Sequence, residues 1–172
     1  MDENEVISEG RALTTVLASV EGEATRDAAI RCTEDYRTRF TRANTAEGAA
    51  IDVSLNLICG KPLQEEVSYS STATTQEDFI FETLVELWIK WATKNTTAYD
   101  RMTLSSLDFS IKGSRLHLMV LQKWAEALTM LISGDSVEAQ RKYRHATRLA
   151  GEYGTPSNPT IQWTYAAMVF TR

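Results

Sequence analysis

The stretch "LDFSIKGSRLHLMV", Leu107 to Val120, decides how the fold is read. Leu107, Phe109 and Ile111 alternate with polar residues. A Lys112-Gly113-Ser114 turn follows, and Leu116, Leu118 and Val120 then repeat the alternation. A period of two on both sides of a glycine-bearing turn predicts a β-hairpin, with strands over 107–111 and 115–121.

Working outward, "GAAIDVSLNLICGKPL" carries the same period. Ile51, Val53, Leu55 and Leu57 alternate with Asp52, Ser54 and Asn56, so a half-buried strand is predicted over 51–58, stopped by Gly60 and Pro62. "EVSYSST" either pairs with that strand or is loop. At the other end, "TIQWTYAAMVF" alternates through Ile161, Trp163 and Tyr165 before turning fully apolar, and a closing strand is predicted over 160–169.

Helices are predicted between these segments. Ala12, Leu13, Val16, Leu17 and Val20 fall at helical spacing. After a break near Gly22, Ala28, Ala29, Cys32, Tyr36 and Phe40 do so again. Thr75 caps a helix whose apolar face is Phe81, Leu84, Val85, Trp88 and Trp91, a core anchor against the sheet. A long helical tract begins right after the hairpin. Within it Asp135, with Glu138 three residues on, caps a helix whose core face is Ala139, Tyr143, Ala146 and Ala150, ended by Gly151 and Gly154. The predicted class is α+β: a mostly antiparallel sheet with helices packed against it and an N-terminal helical segment. Residues 1–10 are read as a flexible acidic N-terminus, and 11–172 as one globular domain.

The 172 residues include 43% hydrophobic and 24% charged, which suits one soluble domain. The net charge of −5 argues against a simple nucleic-acid binder. Its distribution is uneven. Asp2, Glu3, Glu5 and Glu9 crowd the start, and Glu65, Glu66, Glu77, Asp78, Glu82 and Glu86 occupy a stretch with no Lys or Arg. Arg141, Lys142, Arg144 and Arg148 gather near the other end. Attraction between the acidic stretch and the basic helix of different copies predicts larger species at low salt. Cys32 and Cys59 lack CxxC or Cys/His spacing and read as free thiols in a reducing compartment. No apolar run approaches the ~20 residues that span a bilayer, and the start lacks a secretory pattern, so the chain is expected to be neither transmembrane nor secreted.

Chemistry is sparse. His117 and His145 have no Cys, Asp or Glu at ligand spacing, so no metal or cofactor is expected. Phosphate-loop and nucleophile-elbow motifs are missing, and a non-enzymatic protein is expected. The positive feature is a stripe on the helix after Asp135. Arg141, Arg144, His145 and Arg148 share one face, flanked by Lys142. Such a stripe either meets phosphates of lipid heads or RNA, or is a solvated helix face. A second group, Arg31, Arg37, Arg39 and Arg42, is interleaved with Glu34 and Asp35 and reads as surface ion pairs.

Two resemblances follow. "SGDSVEAQRKYRHATRLA" places Gly134, Asp135, Ala139, Tyr143 and Ala146 at the spacing of a single tetratricopeptide unit, with Trp124 and Leu128 one position out of phase and no second copy. That implies a helical adaptor for protein–protein interaction. Taken as an ordered series, the chain also resembles a rhabdovirus matrix protein of the short, plant-infecting kind. The series is "VSLNLICGKPL", "LVELWIKWATK", the Phe109–Met119 hairpin with its Lys112-Gly113 turn, the Glu126-Ala127 pair, Arg144, Ala146 and Trp163, a core over about 51–170. This resemblance implies a virion structural protein of host cytoplasm and host membranes. It would self-associate into an oligomer or layer and condense the viral nucleocapsid protein/RNA complex. It would attach peripherally to an anionic membrane, contact the viral glycoprotein and serve virus assembly and budding. Budding members carry a Lys-rich N-terminus with a Pro-rich late motif. Here the N-terminus is acidic and the prolines are Pro62, Pro156 and Pro159. Arg141, Lys142, Arg144, His145 and Arg148 are therefore the candidate membrane- or nucleocapsid-binding residues.

Overall fold

The computed structural model describes residues 2–40 and 43–171. Among them are eight helices: α1 (Glu3–Val20), α2 (Arg26–Arg39), α3 (Ala46–Ile58), α4 (Gln76–Ala92), α5 (Ala98–Ser106), α6 (Arg115–Ile132), α7 (Ser136–Tyr153) and α8 (Asn158–Phe170). The described residues contain no strand, so the α+β expectation is corrected to an all-helical fold.

Short polar side chains start most helices by accepting a backbone N–H of the first turn. Asp2 takes Glu5, Thr25 takes Ala28, Thr45 takes Gly48, Thr75 takes Asp78, Ser114 takes His117 and Asp135 takes Glu138. α7 runs through Gly151 and ends at Gly154, whose φ of 59° closes the last turn in the left-handed region. Gly154 is thus the terminator, and Gly151 is not.

α8 is the centre. It packs against α1, α3 and α7, while α6 packs on α4 and α7, and α5 lies on α6. Most of its surface is buried, from Thr160 and Ile161 to Met168 and Phe170. Trp88, Trp124, Trp163, Tyr36 and Tyr143 fill the space between helices. Arg26 closes the far end of α8. Its Nη1 donates to the Phe170 carbonyl at 3.1 Å and its guanidinium lies 4.1 Å from the centre of the Phe170 ring.

Each strand expectation fails for a physical reason. In α3, the apparent 51–58 strand, helical spacing sets Ile51, Ser54, Leu55 and Ile58 in the core, but Val53 and Ala50 are buried too. A helix enclosed on several sides shows a near-continuous apolar run, and a few residues of that run alternate by accident. Residues 107–111 form an irregular loop with Leu107, Phe109 and Ile111 resting on the core. The 115–121 segment opens α6, where Leu118, Leu121, Ala125 and Leu128 continue one helical face that outlasts three alternating residues. The 160–169 segment is α8, wrapped by three neighbours, so its β-branched and aromatic residues pack in a helix despite their strand preference. "EVSYSST" is loop.

Candidate functional site: a basic groove between α6 and α7

α6 and α7 form an antiparallel hairpin about Gly134. Buried hydrogen bonds lock its register. Trp124 Nε1 donates to Tyr143 Oη at 2.8 Å, and Tyr143 Oη in turn meets Thr164 Oγ1 on α8. With Ala139, Tyr143, Ala146 and Ala150 buried, α7 must turn Arg141, Arg144 and Arg148 outward.

The outward face forms one wall of a cleft of about 460 Å³ lined by Lys123, Glu126, Arg141, Lys142, Arg144, His145 and Arg148. All five residues singled out in the sequence therefore meet in one groove, joined by Lys123 and Glu126 from α6. Sequence reading missed those two because they belong to the opposite arm of the hairpin. The available signal was symmetry, since Lys123 and His145 lie equally far along the chain from Gly134.

The cations are unequally held. Arg141 grips the Glu138 carboxylate with Nε, at 3.0 Å, and with Nη2. That hydrogen bonding, then the Coulomb attraction of Glu138, raises the Arg141 pKa above its ordinary value. Arg144 Nε donates to Tyr165 Oη at 3.3 Å, and its Nη2 stands 3.9 Å from Glu21 Oε1. Lys123 lies 3.5 Å from Glu126. Lys142, His145 and Arg148 have no hydrogen-bond or ion-pair partner among the described residues. Five permanent cations thus face one lining carboxylate.

The other arginine group is dispersed. Arg39 pairs with Asp35 at 3.5 Å, Arg37 donates to Asn56 Oδ1 at 2.8 Å, and Arg42 lies outside the described residues. The acidic stretch is partly engaged within the chain. Glu82 accepts from Ser71 Oγ and the Thr72 N–H. Glu77 holds His117 Nδ1 and accepts the Ser114 N–H at 3.1 Å. That pair clasps the starts of α4 and α6. A Cβ on Gly113 would fall 2.4 Å from Glu77 Oε2, so a side chain there would push the carboxylate from its present position. Among the described residues, no three His, Cys, Asp or Glu come together as a metal-binding set. Among the described residues no helix is long and apolar enough to cross a membrane. No family model, curated protein or solved structure matches the chain.

Proposed function

We propose that the protein is a non-enzymatic docking protein whose α6–α7 groove holds the phosphate backbone of a single-stranded nucleic acid. The observation that carries this reading is the gathering of Lys123, Arg141, Lys142, Arg144 and Arg148 around one cleft with Glu126 as its sole lining carboxylate. Like charges repel, and of the five only Arg141, Arg144 and Lys123 have a carboxylate within reach among the described residues, leaving Lys142 and Arg148 without one. Arginine forks match phosphate oxygens two at a time. From Arg141 to Arg148 the helix rises about 10 Å, enough to track several phosphates. A concave cleft between two helices suits a strand better than a flat bilayer. The chain's net charge of −5 already includes these cations, so the rest of the surface is more negative still, which confines a polyanion to the groove.

Of the roles implied by the matrix resemblance, contact with nucleocapsid RNA is the one this groove supports. The helix hairpin in the place of the tetratricopeptide likeness favours a second reading, in which the same groove takes an acidic protein segment. One titration separates the possibilities. Fluorescence anisotropy with single-stranded RNA should show affinity falling with salt at a log–log slope of about −0.7 per phosphate contact, near −3.5 for five cations. Arg141→Gln/Arg144→Gln/Arg148→Gln should keep the helical circular dichroism and flatten the slope to about −1.4. A folded triple variant with the parent's affinity and slope refutes the assignment. Stronger parent binding to phosphatidylserine vesicles, or to a poly-glutamate peptide, transfers the groove to those partners.

A further inference from the structure

A second surface is independent of the phosphate reading. The first two turns of α1 leave Glu3, Val6, Ile7 and Gly10 exposed, a stripe at helical spacing that nothing among the described residues covers. Val6 is 53% and Ile7 52% exposed, both high for β-branched apolar residues on a helix. Further along, Ala12 and Val16 are fully buried, and Glu9 accepts the Trp163 indole N–H at 2.7 Å. The stripe is therefore held out rigidly by an anchored helix. Gly10 ends it with open space where a side chain would stand, so a partner can approach the backbone closely.

The complementary surface lies elsewhere on the chain. The 107–114 loop and the first turns of α6 enclose a groove of about 640 Å³, floored by Phe109, Ile111, Leu116, Leu118 and Met119. Leu116 is 47% exposed at its mouth. The rim is basic. Arg115 lines the groove, Lys112 is exposed in the loop, and neither has an ion-pair partner among the described residues. An apolar trough with Arg115 at its edge fits an apolar helix stripe with Glu3 at its start. On α1, Glu3 lies one turn before Val6 and Ile7 on the same face, whereas Glu5 lies on the opposite side, in line with buried Ala12 and Val16. In each chain, α1 is committed to α2 and α8, whereas the groove belongs to α6.

We infer that the exposed start of α1 of one copy docks in the α6 groove of a second copy. Val6 and Ile7 fill the trough, and Glu3 faces Arg115. The contact is heterologous, since donor and acceptor patches differ, so each added copy leaves a free patch at both ends. One helix end in one groove is a small interface, which places the association among weak ones.

Analytical ultracentrifugation tests this. Weight-average mass should climb between about 10 µM and about 1 mM without a plateau at the dimer, as for a small open-ended interface. Ile7→Asp and Leu116→Asp change exposed positions and should each give a monomer with unchanged helical circular dichroism. An equimolar mixture of the two should form a one-to-one pair and stop, because only one good stripe and one good groove remain. Should either aspartate variant misfold, Arg115→Glu should weaken association and Glu3→Lys should restore it in the double variant. A parent that stays monomeric to about 1 mM overturns the inference. So does an associating parent whose two variants fail to complement when mixed.

Discussion

Tyr143→Phe is the sharpest test of how the groove is built. Three hydrogen bonds run in one direction across α6, α7 and α8. Trp124 donates to Tyr143, Tyr143 donates to Thr164, and Thr164 donates to the Thr160 carbonyl at 2.9 Å. The direction follows from the last link, because a hydroxyl that gives its proton to a carbonyl must accept from its other neighbour. All three side chains are fully buried. Burial also pushes the Tyr143 phenol far above the usual tyrosine range, so it stays a donor at any ordinary pH. Removing the hydroxyl keeps the ring beside Tyr165, with centroids 5.6 Å apart, and opens little space. It does strand the Trp124 indole N–H in the core. A buried unsatisfied donor costs about 1–3 kcal/mol, so we expect a loss of about 2 kcal/mol. For a chain of this size that lowers Tm by about 4–8 °C. Thr164→Val should cost a similar amount by stranding the Tyr143 O–H. Once Tyr143 is Phe, that second loss has no cause, and the double variant should lie at least about 1 kcal/mol above additivity. Urea unfolding followed by circular dichroism measures all three. Singles that cost under about 0.5 kcal/mol, or that simply add, refute the relay.

Two further outcomes follow from other contacts. Asp100 accepts from Lys90 Nζ and from the Thr97 N–H, both at 2.7 Å, and although burial pushes its carboxyl up, those hydrogen bonds hold it below the ordinary range. A depressed folded value contributes stability above the unfolded pKa of about 4 and loses it as pH falls through the folded one. The stability gap between parent and Asp100→Asn should therefore be constant from about pH 7 to 5 and close in more acid solution; a gap unchanged by acid counts against the pair. Gly48→Ala should destabilise by about 1–3 kcal/mol despite alanine's helical advantage of about 1 kcal/mol, because the new Cβ would fall 2.1 Å from the Ala43 carbonyl oxygen; a raised Tm in calorimetry would contradict this.

Parts of the fold were legible where local chemistry and burial agree. Thr75 and Asp135 cap the helices they were expected to cap, because a short acceptor before a periodic run has few other uses. α7 was readable since one face is aliphatic or aromatic and the other charged. α3 and α8 were not, because burial on several sides removes the polar face that distinguishes a period of 3.6 from a period of two. Their start signals were present all the same: Thr45 ahead of Ala46, and Pro159 in the first turn of α8. The hairpin reading around Gly113 gave weight to three alternating residues and overlooked Ser114 as a cap. The basic stripe was legible as one helical face. Lys123 across the groove and Glu77 beside His117 were not, because tertiary packing alone brings such distant residues together.

Both inferred surfaces use α6, and this sets opposite salt responses. Leu116 and Met119 floor the apolar groove, and Lys123, one turn beyond Met119 and about 6 Å along the axis, lines the basic one. Phosphate docking is charge against charge and weakens as salt rises. Docking of α1 brings together two copies that each carry −5, and one exposed pair, Glu3 with Arg115, contributes under about 1 kcal/mol. Net repulsion between copies is screened over ~10 Å at 0.1 M salt, so added salt should leave that association unchanged or strengthen it. This reverses the trend expected from the sequence, where the acidic stretch was to attract the basic helix. Glu77 and Glu82 are held against their own chain by His117, Ser114, Ser71 and Thr72, which fixes where their carboxylates point and leaves their charge in place. Sedimentation at low and high salt, run on the parent and on Leu116→Asp, therefore separates the two attractions. Association that grows at low salt and persists in Leu116→Asp belongs to the charged surfaces, and association that survives high salt and vanishes in Leu116→Asp belongs to α1.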